Sequence, residues 1–456
     1  MSSGRLLGFL LLSFAAFCIA QTNRDQTLPD TPAGKRVQAY LQAFNTGTVE
    51  AYRAFFTNHV SPEALQRVSL DQRVERTRQL RSQTGTLEIR RVAEQRADFI
   101  SLIARTENGE FLRLGFEFEP QPPYYFARLS IEQVESDQTS SRKTDDLELI
   151  AATRSYLDSL SNADAFSGVV LIAKAGKPLF ENAYGLADRE KKIPNRVDTK
   201  FNIGSINKTF TALAIHQLIA DGKLSLSDPI KKFLPDYPNK EAAEKVTVKH
   251  LLEMTSGIGD IFGERYRQTP KEQLRTLQDF LPLFADQPLL FEPGSNRRYS
   301  NGSYIVLGLI IEKLSGVDYY SYVRDKIFRV AGMNDTDWYL KGSQIENRAV
   351  GYIRTESGHR IPNTATLPER GSSAGGGYST AQDLLKYTIA LSEKKWNAPG
   401  YDGFNGLGVA GGSPGLNAAL EWDGPEGYAV IVLSNYDPPS AERVARQIRS
   451  WLPRER

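Results

Sequence analysis

The chain reads as a multidomain α+β protein. A small α+β domain is followed by a larger one in which an antiparallel sheet, assembled from both ends of that domain, flanks a helical middle. Three observations predict this. The 456 residues exceed one ordinary domain. The hydrophobic period changes from helical to alternating near Gly85, and hairpin-like stretches recur at 168–185 and 417–433 with a mostly helical stretch between them. Between the two parts, Glu135 to Asp146 has the Ser, Thr, Lys and Asp content of a linker. The 40% hydrophobic and 24% charged content is that of globular protein.

Residues 1–20 carry Arg5 and then an apolar run from Leu6 to Ala20, too short to span a bilayer comfortably. This is the pattern of a secretory signal peptide, with cleavage expected after Ala20 and an uncleaved anchor as the alternative. Arg5 is the only charged residue in that segment, so the mature chain keeps 55 basic against 54 acidic residues. A net charge near +1 gives no electrostatic reason to expect nucleic acid or an acidic membrane as partner. Cys18 is the only cysteine, and Phe17 before it argues against lipidation. The mature chain then has no thiol, which excludes disulfides, a cysteine nucleophile and cysteine-ligated metals. A secreted or periplasmic protein with no integral membrane span after cleavage is expected.

Residues 21–31 are a polar, flexible lead-in. Pro32 stands at a first helical position, and Val37, Tyr40, Leu41 and Phe44 form one apolar stripe ending at Asn45-Thr46-Gly47. A second short helix is expected from Val49 to Phe56. Four strands follow, marked by Leu87/Ile89, Phe99 to Ala104, Phe111 to Phe118 and Phe126 to Ile131, with Glu107-Asn108-Gly109-Glu110 as a hairpin turn. Helices followed by strands predict a small domain over 32–134 whose sheet wraps its helices. Tyr40-Leu41-Gln42-Ala43-Phe44-Asn45-Thr46-Gly47, then Val49-Glu50-Ala51-Tyr52, resembles the opening of nuclear transport factor 2-like domains. That fold hosts enzymes, binding pockets and dimerisation modules, so it decides no function. His59 is read there as a structural histidine.

After the linker over 135–146, a helix carries Leu147, Ile150, Tyr156 and Leu157. Gly168 to Ala173 and Pro178 to Gly185 form one hairpin, Asn417 to Trp422 and Tyr428 to Leu433 another, and a last helix runs from Ser440 to Leu452. Within the middle, Phe210, Leu213, Ala214, Gln217, Leu218 and Ala220 read as a helix stopped by Asp221-Gly222-Lys223.

At the start of that helix stand Ser205 and Lys208, three residues apart and so on one helix face. A serine hydroxyl becomes a useful nucleophile when a base removes its proton, and a lysine shielded from water can be that base, because desolvation lowers its pKa. The helix start adds free N–H groups suited to an oxyanion. Alone, S-x-x-K is a common chance pattern; its company gives it weight. That company is His250-Leu251-Leu252-Glu253-Met254-Thr255-Ser256-Gly257, then Pro293-Gly294 leading to Tyr299-Ser300-Asn301, then Ala374-Gly375-Gly376-Gly377-Tyr378-Ser379-Thr380, and lastly Gly411-Gly412-Ser413-Pro414-Gly415.

In this order the motifs resemble the serine β-lactamase and penicillin-binding protein superfamily, in its class C-like branch, which also contains esterases and D-amino-acid peptidases. The resemblance covers 147–456 and implies a β-lactamase/transpeptidase-like domain, an antiparallel sheet flanked by helices plus a helical subdomain. It implies Ser205 as acylated nucleophile, Lys208 as proton acceptor, Tyr299 as a phenolate that shuttles a proton, and Asn301 as a hydrogen-bonding partner of Lys208 and substrate. The N–H groups of Ser205 and Gly412 would form the oxyanion hole, on a strand that includes Gly411.

That strand departs from the family pattern. Members carry Lys-Thr-Gly or His-x-Gly, where this chain has Val409-Ala410-Gly411. Recognition of a substrate carboxylate is thereby put in doubt; Arg297 and Arg298 beside Tyr299 read first as a solvated arginine pair, with a replacement cation as the alternative. Gly371-Ser372-Ser373-Ala374-Gly375 also fits G-x-S-x-G, but that elbow needs an apolar strand before it and a histidine after it, and the last histidine is His359. The four histidines show no metal-ligand spacing.

The expected function is a secreted serine hydrolase, without metal or other cofactor, acting through an acyl-enzyme on small esters or amides. β-Lactam or D-alanyl peptide turnover is the alternative within that chemistry. A penicillin- or peptide-binding sensor without turnover is the alternative outside it, motivated by Val409 and the glycine-rich run Asn397 to Gly408. The partner is a small-molecule or peptide substrate, and homo-oligomerisation through 32–134 is open to test.

Overall fold

The computed structural model describes residues 28–96, 98–119, 122–134, 145–355 and 357–453. The signal segment, most of the lead-in and most of the linker lie outside the described residues. The chain falls into two compact units, with the division between residues 142 and 143.

In the first unit, Thr31 caps helix α1 (Pro32–Thr46) by accepting the Gly34 N–H, and Gly47 ends it in the left-handed region at φ 79°. Thr48 caps α2 (Val49–His59). Helices α3 (Pro62–Arg67) and α4 (Leu70–Thr84) add to the two expected from periodicity. α4 is rich in arginine and glutamine and presents a short apolar face centred on Val74, so its period is faint. Its sequence signal was the Ser69 and Gln72 capping box. Strands β1 (Leu87–Arg96), β2 (Phe99–Thr106), β3 (Phe111–Phe118) and β4 (Phe126–Val134) pair antiparallel in chain order. The α1 stripe of Val37, Tyr40, Leu41 and Phe44 joins Leu102, Leu114, Phe116 and Phe126 in one core. His59 stacks on Phe55, with Nδ1 2.8 Å from Arg36 Nη1. Burial, and then the guanidinium, hold its pKa below the usual histidine value.

The second unit begins with α5 (Asp146–Asn162), capped by Asp145, inside the segment expected to be linker. Its buried face is Leu149, Thr153 and Leu157, whereas Leu147 is 77% exposed. Leu157 packing on the sheet sets the helical phase, and the first-turn leucine falls on the solvent side of it. Strands β5 (Gly168–Lys174), β6 (Lys177–Tyr184), β7 (Leu407–Ser413), β8 (Leu416–Trp422) and β9 (Tyr428–Ser434) form an antiparallel sheet in the order β7-β8-β9-β5-β6. Ser434 lies opposite Gly168 and Tyr428 opposite Lys174, so the two ends of the unit meet at its centre. The helical middle contains α6 (Asn207–Ala220), α7 (Asn301–Ser315) and α8 (Ala381–Ser392), and α9 (Ser440–Trp451) follows the last strand.

Both sheet faces are covered. Val169, Leu171, Leu420, Ile431 and Leu433 face the core shared with α6, α7 and α8. Val170, Ile172, Val430 and Val432 face α5 and α9. This is why β5 and β9 read as unbroken apolar runs rather than alternating ones. Among the described residues no helix is long and apolar enough to cross a membrane.

Candidate active site

Ser205 sits on the single tight turn Gly204–Ile206 that leads into α6. Gly204 has φ 49°, and a Cβ there would stand 3.0 Å from the Gly411 carbonyl carbon and the Gly412 nitrogen, so the turn needs glycine for conformation and for space. Ser205 Oγ lies 2.5 Å from Tyr299 Oη and 3.1 Å from Lys208 Nζ. Nζ also bonds Asn301 Oδ1 at 2.8 Å and the Ala374 carbonyl, and lies 4.8 Å from the centre of the Tyr299 ring. Four predicted residues, spread over 97 positions from Ser205 to Asn301, thus meet at one point.

Lys208 is only 7% exposed. Burial pulls its pKa from 10.5 down to about 7, against the opposing pull of the Asp260 carboxylate. Near neutral pH it is therefore available as a neutral amine. Tyr299 differs from the expectation of a phenolate. Burial, the largest influence, and the nearby Asp260 charge outweigh its Ser205 hydrogen bond and raise its pKa above 10.0. The resting side chain is a phenol, able to donate.

The placement of Tyr299 and Asn301 follows from a helix cap. Ser300 Oγ accepts the Ser303 N–H and donates to the Gly259 carbonyl, which makes Asn301 the first residue of α7. Asp260 then grips Asn301. Its Oδ2 accepts the Asn301 backbone N–H at 3.0 Å, and Asn301 Nδ2 lies 3.0–3.1 Å from both oxygens. Sequence reasoning missed Asp260 and the Ala374 carbonyl. Asp260 follows Thr255-Ser256-Gly257 by three residues, and only its position after that motif could have marked it; a main-chain carbonyl leaves no sequence signal.

Strand β7 is the sheet edge beside Ser205, paired on one side with β8. At Gly411 a Cβ would lie 2.0 Å from the Ile203 carbonyl oxygen and 2.7 Å from Ser205 N, so any side chain would drive the strand off the nucleophile turn. The alternation of the strand turns Ala410 and Gly412 to the cavity, while Val409 packs against the core. Arg297 and Arg298 are exposed and lie outside the cavity lining, as the solvated-pair reading has them, and neither stands in for the missing strand cation.

The cavity over Ser205 has a volume of about 970 Å³. One wall is apolar, with Ile261, Phe262, Tyr266, Phe280, Leu367 and Pro368. Of the charged lining residues Lys341, Arg348, Glu369, Asp437 and Glu442, hydrogen bonds hold the side chains of Arg348, Asp437 and Glu442. Arg348 donates to the carbonyls of Leu340, Lys341 and Ser343, and Asp437 accepts the N–H groups of Gly415 and Arg354. In the G-x-S-x-G stretch Ser373 is buried, with Oγ donating to the Tyr304 carbonyl. Among the described residues no group of three His, Cys, Asp or Glu is placed to hold a metal ion.

With this geometry in place, comparison with known proteins settles the family: the profile of the Beta-lactamase family matches residues 153–452. The chain belongs to the Beta-lactamase family. Penicillin-binding protein 4* of Bacillus subtilis (strain 168) is 33% identical over 205 residues, 44% of this chain and 45% of that protein. Putative penicillin-binding protein PbpX of the same strain is 32% identical over 290 residues, 59% of this chain and 71% of that protein. The solved penicillin binding protein from Bacillus halodurans superposes with TM-score 0.60 at 32% identity, over 65% of this chain and 99% of its own. The chain thus spans less than half of the first of these relatives and nearly all of the solved one. This Beta-lactamase family member thus falls in the serine β-lactamase and penicillin-binding protein superfamily. The family match begins inside α5, so it bears on the second unit alone.

Proposed function

We propose that the second unit hydrolyses small esters or amides through an acyl-enzyme on Ser205. The observation that carries this is Lys208, buried, with its pKa pulled down to about 7 so that a substantial share is the free amine near neutral pH, and 3.1 Å from the serine oxygen. In the first step Ser205 Oγ attacks the substrate carbonyl carbon as its proton passes to Lys208 Nζ, a transfer worth about 10²–10⁴ in rate. The Tyr299 phenol relays the proton to the leaving oxygen or nitrogen as that bond breaks. Water then attacks the acyl carbon, and the serine recovers its proton. The Ser205 N–H, with that of Gly412 beside it, is assigned to the developing oxyanion.

The cavity favours an apolar acyl or leaving group and offers no strand-borne cation to a carboxylate next to the scissile bond, which supports neutral esters and amides as substrates. β-Lactam or D-alanyl peptide recognition is the second reading, favoured by the relatives named penicillin-binding proteins. The test is intact mass of residues 21–456 after exposure to a fluorophosphonate and, separately, a penicillin, with Ser205→Ala as control. Labelling by the first alone is expected. Labelling by both returns the protein to penicillin recognition, and no adduct from either in folded protein turns the reading to a binding sensor.

Export through a signal peptide over 1–20 is part of the same proposal, tested by the mass of the N-terminus in culture medium or periplasm. The first unit, assigned by resemblance to nuclear transport factor 2-like folds, is proposed as a self-association module. Unchanged solution mass after removing 32–134 would eliminate that role.

A further inference from the structure

The Asn301 amide can offer Lys208 either oxygen or nitrogen, and its shape does not choose between them, because the two ends are nearly isosteric. The choice is made by Asp260. With both carboxylate oxygens 3.0–3.1 Å from Nδ2 and one also on the Asn301 backbone N–H, only the amide nitrogen can face Asp260, since a carboxylate accepts and does not donate. The amide oxygen is thereby held toward Lys208 Nζ at 2.8 Å.

Asp260 is itself fixed. Its Oδ1 accepts the Phe262 N–H at 3.0 Å, and the preceding Gly259 carbonyl accepts Ser300 Oγ at 2.9 Å. Helix α7 comes so close that a Cβ on Gly302 would stand 2.5 Å from the Gly259 oxygen. Around Lys208, its own turn offers Ser205, the start of α7 and the residue before its cap offer Tyr299, Asn301 and Tyr304, and the facing loop offers the Ala374 carbonyl. Arg297 acts on Tyr304, lowering its pKa against a larger effect of burial. The Asp260 charge is what opposes burial at Lys208.

We propose that Asp260 is a positioning residue for the Ser205–Lys208 pair: it locks the Asn301 amide with its oxygen toward Lys208 and places a carboxylate charge across that amide from the lysine. The proposal rests on the reading of Ser205 as nucleophile. It predicts two separable effects of Asp260→Asn on the rate at which a fluorophosphonate labels Ser205. The plateau rate falls by about 10–100-fold as the amide loses its lock. The pH at which the rate rises moves down by about one unit, because burial of Lys208 is no longer opposed and its proton leaves at lower pH. A lower plateau with an unmoved midpoint would mean a purely structural role and overturn the proposal.

A double-mutant cycle tests the lock itself: Asp260→Asn on an Asn301→Ala background is expected to cost little further plateau rate, and additive losses overturn the lock. A readout independent of chemistry is the titration of Lys208 by carbon-13 NMR of labelled lysine, assigned with Lys208→Met. A midpoint that fails to fall in Asp260→Asn overturns the proposal, whether or not Ser205 labels. A falling midpoint in protein that never labels at Ser205 upholds Asp260 and removes the nucleophile reading alone. Should Asp260→Asn not fold, Asp260→Ser carries the same comparisons.

Discussion

Lys208→Met separates the reactivity of this site from its stability. A lysine whose pKa falls from 10.5 to about 7 on folding resists burial in its charged form, at about 1.4 kcal/mol per unit, or roughly 4–5 kcal/mol below pH 7. The sign is that of a lowered base. Between pH 7 and 10.5 the unfolded chain binds more protons than the folded one, so wild-type stability rises with pH through that window. Methionine has no such dependence. It also leaves Asn301 Oδ1 and the Ala374 carbonyl without a donor, a loss of about 1–2 kcal/mol each. The variant is therefore expected to be more stable than wild type by about 1–2 kcal/mol at or below pH 7. It should lose this advantage as pH rises and be the less stable protein near pH 10, while Ser205 labelling falls by about 10²–10⁴ at every pH. Urea unfolding at pH 6, 8 and 10, followed by tryptophan fluorescence, measures it cleanly. All four tryptophans, Trp338, Trp396, Trp422 and Trp451, lie in the second unit. A variant less stable than wild type at pH 6, by an amount that does not change with pH, would refute a lysine buried near its neutral form.

Further outcomes are expected at four other positions. Tyr299→Phe removes the phenol 2.5 Å from Ser205 Oγ and should lower p-nitrophenyl ester turnover by about 10²–10⁴. Because the phenol pKa is raised above 10.0, wild-type turnover should show no alkaline loss from Tyr299 below pH 10, and an alkaline limb near pH 8 that Phe abolishes would contradict this. Gly411→Ala forces a Cβ to 2.0 Å from the Ile203 oxygen and should cost about 1–3 kcal/mol and abolish Ser205 labelling. Gly222→Ala, with nothing within 4 Å, should cost only about 1–2 kcal/mol of left-handed strain and leave labelling intact. Val409→Lys places an amine where a valine packs against the core, so thermal unfolding should come earlier with no gain in penicillin acylation; faster acylation at unchanged stability would show that the side chain reaches the cavity.

Much of the architecture was legible because it is carried by local pattern. The α1 stripe, the four strands with the Gly109 turn, both hairpins of the second unit and the last helix all write their periods into sequence. The elements that were missed or misphased have a common cause. α4 has a short apolar face among charged residues, and Leu147 is an apolar residue that tertiary packing left outside. At the site, residue types at short spacing gave Ser205 and Lys208, and the ordered motifs gave Tyr299 and Asn301. Asp260 was silent because its importance is a matter of which way an amide points.

The sequence by itself determined the strongly periodic elements, the motifs at the helix start and the glycines that let β7 reach the Ser205 turn. These depend on dihedral preference, helical spacing and side-chain size, all of which are local. Only the tertiary structure decided that Lys208 is buried enough to lose its proton near pH 7, that Tyr299 rests as a phenol, that Val409 faces the core and that Arg297 and Arg298 face water. Protonation and exposure are set by what surrounds a group in space, and those neighbours come from segments tens to hundreds of residues apart.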